Sequence, residues 1–91
     1  MRIELCREYR GAGALAAALS GRQEGQPPVR LTGLATDSAE IEKGDIFLAL
    51  PGKTHNGWEY LDAALQRGAA GAILPRAAGE NPYVPYRILV D

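Results

Sequence analysis

The chain is poor in the residues that build metal and disulfide sites: it holds one cysteine, Cys6, and one histidine, His55. A single cysteine excludes an intrachain disulfide and a cysteine cluster for a metal. A free thiol also fits a reducing compartment. No apolar run approaches the ~20 residues of a membrane-spanning helix. The start, MRIELCREYR, is charged throughout and has no secretory hydrophobic stretch. Neither sign of charge dominates, since 10 Lys and Arg face 11 Asp and Glu for a formal net charge of −1. That balance gives no electrostatic case for nucleic acid or an anionic membrane as a partner. The expectation is a soluble, cytoplasmic domain.

Bulky side chains are scarce too, with one Trp, one Phe and four Tyr. Hydrophobic residues still make up 46% of the chain, much of it alanine, beside 11 glycines. A packed globule with a core of small residues follows. At 91 residues, below the usual ~100–150, it reads as one small domain.

Two stretches differ in character. Residues 1–28 read as an N-terminal helical segment and loop. GAGALAAALS (11–20) is alanine-rich, with Leu15 and Leu19 at helical spacing, and Gly21 is a plausible stop. GRQEGQPP (21–28) reads as loop, because Gly, Gln and paired prolines sustain neither regular structure. Residues 29–91 read as an α/β unit. VRLTGLAT (29–36) alternates as a strand, with Val29, Leu31 and Gly33 on one face. Asp37 with Glu40 three residues later is a capping pattern for a short helical turn. Lys43-Gly44-Asp45 reads as a tight turn with a positive φ at Gly44. IFLAL (46–50) is continuously apolar and suits a central strand buried on both faces. Asn56, with Glu59, caps a helix whose stripe is Trp58, Leu61, Ala64 and Leu65, ending at Gly68. AAGAIL (69–74) and RILVD (87–91) are strands, separated by a loop with two prolines. The helix makes a crossover, so the strands at 46–50 and 70–74 are expected to be parallel. The fold class is α/β, a small mixed or mostly parallel sheet with flanking helices.

Few residues suggest chemistry. Gly52-Lys53-Thr54 follows a strand, as in a phosphate-binding loop, but the full motif needs a glycine five residues earlier, where Phe47 stands. The segment is either a polar turn or a loop whose Lys53 and Thr54 touch an anionic ligand from outside such a motif. Asp37-Ser38 lies at the carboxyl end of a strand, where open α/β sheets collect ligands. Ser38 can donate to a phosphate or sugar oxygen; the plainer role is that Asp37 caps the turn and Ser38 is solvated. The lone His55 has no neighbouring ligand set for a metal. No serine has a nucleophile-elbow context. Glu40, Glu42 and Asp45, interrupted by Lys43, read as a solvated acidic turn. Trp58 packs or lines a pocket edge. Two candidate ligand edges remain, at 36–38 and 53–55.

The stretch LTGLATDSAEIEKGDIFLALPGKTHNGWEYLDAALQRGAAGAIL (31–74) resembles the amino-terminal domain of the Mur ligases, the cytoplasmic ATP-dependent amide ligases of peptidoglycan synthesis. The family pattern is Asp-Ser-Arg, then Gly-Asp-Leu-Phe-Val-Ala-Leu-x-Gly, a short loop, Asp-Gly-His-x-Phe-Ile, and an Ala-rich helix ending Gly-Ala. The matches are Asp37-Ser38, Gly44-Asp45-Ile46-Phe47-Leu48-Ala49-Leu50, Gly52, Gly57 and Gly68-Ala69. RILVD (87–91) looks like the family strand before the central domain. The pattern is most similar to the ligase acting on UDP-N-acetylmuramoyl-dipeptide to form the tripeptide, with the D-Ala-D-Ala-adding ligase close behind. Ala39 stands where the family has arginine, Asn56-Gly57-Trp58 replaces Asp-Gly-His, and Tyr60 replaces the family Phe.

The resemblance implies a domain that holds the UDP part of a UDP-N-acetylmuramoyl-peptide. The serine of Asp-Ser-Arg and the loop after the Gly-Asp-Leu-Phe strand make the contacts in the family. Carried over, this implicates Thr36 and Ser38, then Lys53, Thr54 and His55. It implies no catalytic residue and no metal ligand in these 91 residues. ATP and magnesium are expected only in the parent enzyme, where ATP would phosphorylate the substrate carboxylate and an amine would attack the acyl phosphate. The missing partners would be the central and C-terminal ligase domains. The chain would then be an excised first domain or the product of a truncated gene, inactive in ligation by itself. A different class of reading is a non-catalytic protein-docking domain that has lost UDP binding, which Ala39 favours. The two part on whether residues 36–38 and 53–55 face one groove.

Overall fold

In the computed structural model, which describes residues 1–91, six strands form one mixed sheet. They are β1 (Arg2–Glu4), β2 (Arg22–Gly25), β3 (Gly33–Ala35), β4 (Ile46–Leu48), β5 (Gly71–Pro75) and β6 (Tyr86–Val90). Two α-helices, α1 (Ala12–Ala18) and α2 (Leu61–Gln66), flank it. The order across the sheet is β1-β3-β4-β5-β6-β2. The inner four strands are parallel, and the edges β1 and β2 run antiparallel to β3 and β6. The expected mixed α/β sheet is thus the fold, including the parallel pair β4 and β5 joined through α2. No helix is long and apolar enough to cross a membrane.

Alternation along the inner strands sorts two cores onto the two faces of the sheet. Ala35, Phe47, Ala49, Ala72 and Leu74 pack with Leu61 and Ala64 of α2. Ile46, Ile73, Tyr86 and Ile88 pack with Ala12, Leu15 and Ala16 of α1. The predicted helical stripe is confirmed: Leu61 and Ala64 are buried, and Trp58 and Leu65 pack at the margin. Its first turn, Gly57–Tyr60, is a tighter 3-10 helix. The small residues follow from this layering, because alanines let each helix lie close to a sheet that supplies the larger side chains.

The chain departs from the sequence reading at its edges. GRQEGQPP is not all loop, since Arg22–Gly25 forms β2 against β6. Residues 2–4 form β1 against β3. Both are edge strands, and an edge needs no apolar face of its own; polar side chains there also discourage pairing with other chains. The strand expected from Val29 starts only at Gly33, and Val29 is fully exposed, while Leu31 is buried. Helix α1 does not stop on Gly21. Ser20 takes the left-handed turn (φ 53°), with its amide on the Ala17 carbonyl at 3.1 Å and the Gly21 amide on Ala16 at 2.9 Å, a Schellman ending. Gly21 is needed for space instead: a Cβ there would lie 2.5 Å from Ile88 Cγ2. Leu19, past the helix end, is exposed. Gly44 has the expected positive φ, at 91°.

The acidic run 40–45 is not uniformly solvated. Asp45 is completely buried, the only polar or charged side chain in the core. Its carboxylate accepts four hydrogen bonds: from Arg2 Nε at 2.7 Å and Arg2 Nη2 at 2.9 Å, from Thr32 Oγ1 at 2.6 Å, and from the Glu42 amide at 2.9 Å. Burial is the largest single influence on its ionisation and opposes it. Arg2, Thr32 and the Glu42 amide together outweigh it and hold the carboxyl below its ordinary value of 3.8. The same pair raises the guanidinium of Arg2 above its usual range.

Asp45→Asn leaves Arg2 facing an amide it cannot pair with. It is expected to lower the unfolding free energy at pH 7 by about 3 kcal/mol. The folded chain holds the Asp45 carboxyl below the unfolded value, so its stabilisation is present above about pH 4 and is lost as pH falls through the folded-state value. Urea unfolding of both proteins between pH 7 and pH 3 should show a steeper loss in the wild type. Equal slopes would overturn this role for Asp45.

Candidate functional site

The parallel strands β3 and β4 end side by side, and both are followed by tight turns rather than long helices. Beyond β3, Asp37 accepts a hydrogen bond from the Ala39 amide at 2.9 Å and caps a 3-10 turn, Ser38–Glu40. The Asp37 carboxylate is thus occupied by the capping role. Ser38 is half-buried, and its hydroxyl has no partner within the chain. Thr36 is anchored by its amide on the Met1 carbonyl at 2.9 Å.

Beyond β4 the chain reaches Leu50 and folds back through residues 51–57. Asn56 organises this return: its Oδ1 accepts the Gly52 amide at 3.2 Å, while its own amide donates to Glu59 Oε2 at 2.6 Å. With the Asn56 side chain also on the Glu59 amide, this is a capping box. Asn56, which stands where the resembled pattern has aspartate, accepts the Gly52 amide in this chain. The Gly57 amide donates to the Leu50 carbonyl at 2.6 Å. A Cβ at Gly57 would sit 2.6 Å from the Leu50 nitrogen and 2.9 Å from Ala49 Cα, so only glycine lets the backbone approach this closely.

The edge at 36–38 and His55 of the edge at 53–55 share one open cleft. Thr36, Asp37, Ser38 and His55 line it together with Leu50 and Tyr60. Leu50 and Tyr60 are half exposed. The imidazole of His55 stands edge-on to the Tyr60 ring, with centroids 6.3 Å apart at 76°. Its Nδ1 lies 3.9 Å from Glu59 Oε1. Lys53 and Thr54 belong to the same loop but lie outside the cleft lining, exposed to solvent. Gly52-Lys53-Thr54 is followed by no helix at Thr54; the next helical turn starts at Gly57. Ala39 is exposed. Sequence reasoning misses Leu50 in the lining of this cleft. Its signal is the length of the apolar run, which continues past the last paired residue of β4.

A family model described as "Mur ligase family, catalytic domain" matches residues 30–89. The chain is 38% identical over 60 residues to the UDP-N-acetylmuramoyl-L-alanyl-D-glutamate–2,6-diaminopimelate ligase of Gloeobacter violaceus, covering 65% of this chain and 12% of that protein. It is 52% identical over 48 residues to the protein of the same name from Alkalilimnicola ehrlichii, covering 53% and 9%. Among solved structures, the UDP-N-acetylmuramoylalanyl-D-glutamyl-2,6-diaminopimelate–D-alanyl-D-alanyl ligase of Acinetobacter baumannii superposes with a TM-score of 0.76 at 26% identity, over 88% of this chain and 18% of that one. The matched stretches are thus a small fraction, between 9% and 18%, of the length of these proteins.

Gly57→Ala should push the 51–57 return away from β4. The expected result is a stability loss of about 1–3 kcal/mol, with amide NMR shifts at Ala49, Leu50 and residues 52–56. Gly13→Ala provides the contrast, because nothing lies within 4 Å of a Cβ in that exposed position of α1. It is expected to stabilise by about 0.5–1 kcal/mol. Equal effects of the two substitutions would remove the close-approach argument.

Proposed function

The chain belongs to the Mur ligase family, and we propose that it binds the UDP end of a UDP-N-acetylmuramoyl-peptide for a peptidoglycan-precursor ligase. It has the fold of the amino-terminal domain of these ligases. The observation that carries the reading is the meeting of Thr36, Ser38 and His55 on one open cleft at the carboxyl ends of β3 and β4. A parallel sheet collects ligands at that end. The unpartnered Ser38 hydroxyl can donate to a uracil carbonyl or a ribose oxygen. Leu50 and Tyr60 offer apolar surface to the base. Lys53 and Thr54, at the margin, reach the pyrophosphate, where an ammonium and a hydroxyl suit its oxygens.

The domain's contribution in this reading is orientation. Fixing the UDP end restricts where the distant peptide carboxylate can lie and so lowers the entropic part of the barrier to its reaction. Parts of the parent ligase outside these residues bind ATP and magnesium and carry out the amide-forming chemistry. The relatives of higher identity are named for 2,6-diaminopimelate, which supports a ligase adding the third residue of the peptide. A cytoplasmic setting is part of the same proposal, since it is where the nucleotide-linked precursors and ATP would meet the enzyme.

Titration of the labelled chain with UDP-N-acetylmuramoyl-dipeptide, with ATP as control, tests the reading by two-dimensional NMR. Shifts are expected at Thr36, Ser38 and Lys53 to His55 with the UDP-sugar and none with ATP. Ser38→Ala should weaken binding about two- to tenfold, the worth of one net hydrogen bond. Absence of shifts at millimolar ligand, or the same shifts with ATP, would overturn it and favour the docking alternative.

A further inference from the structure

The eight arginines divide by what holds them. Arg2 pairs with Asp45, Glu4 and Glu42. Arg22 and Arg87 share Glu24, and Arg76 faces Asp91. Arg67 donates to the Ile41 carbonyl at 3.2 Å. The remaining three, Arg7, Arg10 and Arg30, have no carboxylate within ion-pair distance, and all three line one open cleft. It opens where β1 has ended and β3 has yet to begin, at the opposite end of β3 from Thr36. Its other walls are Leu5, Cys6, Gly11 and Val29, with no acid among them.

Arg10 is fixed in place there. Its Nε donates to the Leu5 carbonyl at 3.0 Å, and its own carbonyl accepts the Leu31 amide at 2.8 Å. Both terminal nitrogens remain free of partners in the chain. Arg7 and Arg30 are exposed. Three like charges lining one cleft without a counter-charge repel one another, in a chain that pairs four of its other five arginines with acids. A guanidinium fork matches two oxygens of one anion. Three forks exceed what the two oxygens of one carboxylate can use, and they suit several oxygens carrying more than one charge. We propose that this cleft is a binding site for a phosphate-type oxyanion of charge greater than one, carried by a small soluble molecule.

Pyrophosphate is the probe. The labelled chain is titrated with it at constant ionic strength, with chloride as the matched control. Saturable shifts are expected at Cys6, Arg7, Arg10, Gly11 and Arg30, and the chloride control should leave them unmoved. Arg7→Gln and Arg30→Gln change exposed side chains and should leave the remaining spectrum intact. Each should weaken pyrophosphate binding about tenfold or more. The proposal fails if chloride produces equal shifts, if no shift saturates, or if shifts appear only at Ser38 and Lys53 to His55. It also fails if pyrophosphate has no effect while the chain cosediments with phosphatidylglycerol vesicles, which would place the phosphate on a lipid surface.

Discussion

The buried carboxylate of Asp45 is the constraint on which the arrangement of this small domain depends. A charge inside a core is unfavourable unless every lone pair is met, and Asp45 meets that condition with four donors from three separate segments. Arg2 comes from edge strand β1, Thr32 from the approach to β3, and the Glu42 amide from the turn before β4. The Asp45 backbone adds a fourth segment, since its carbonyl accepts the Ala70 amide at 2.7 Å just before β5. One side chain and its peptide therefore set the starting positions of β3, β4 and β5 and hold β1 against them. No buried side-chain polar atom is left without a partner. Tyr86 follows the same rule on the far side of the sheet, where its hydroxyl donates to Gln23 at 2.7 Å.

With the starts of the strands fixed, their far ends can stay open. Two short turns beyond β3 and β4, held by Asp37 and Asn56, form the candidate cleft. Neither turn contributes a large apolar cluster, so the cleft is shaped by capping hydrogen bonds and by the close backbone approach at Gly57 rather than by packing. That division explains how the site's side chains can differ from the family pattern while the frame is kept. Asn56, where the family pattern has aspartate, forms a capping box with Glu59. Ala39 replaces an arginine at an exposed position, where no core contact depends on it.

Legibility in the sequence divides the same way. The inner strands and α2 are legible because burial on both faces gives continuous apolar runs and because caps sit at fixed offsets. The positive φ at Gly44 is legible from turn chemistry. The edge strands are not: RIE and RQEG have no apolar pattern, and their pairing is with residues about thirty and more than sixty positions away. Local rules rank glycine first for a left-handed turn and so point to Gly21, whereas the packing of Ile88 reserves Gly21 for space and leaves the turn to Ser20. Asp45 looks like one acid among several, since nothing local marks it as the one that Arg2 reaches. Of the site, the two edges are legible as strand-end loops, but not that Lys53 and Thr54 stand outside the cleft that His55 lines.

Residues 1–28 do more for the fold than their composition suggests. The parallel strands run in sequence order, β3 to β6, so right-handed connections place all their crossovers on one face. That face is covered by α2 and the turns. The other face, with Ile46, Ile73, Tyr86 and Ile88, is covered by α1 together with Leu5, Tyr9 and Leu31. The same segment supplies both edge strands, the Arg2 that neutralises Asp45, and the Gln23 that satisfies Tyr86. The family match at 30–89 thus leaves out Leu5, Tyr9 and the α1 side chains that cover this second face. The polar N-terminal stretch completes the domain by supplying what the matched residues lack: a cover, two edges and a counter-charge. Its alanines suffice for the cover because the sheet beneath already carries the bulky side chains.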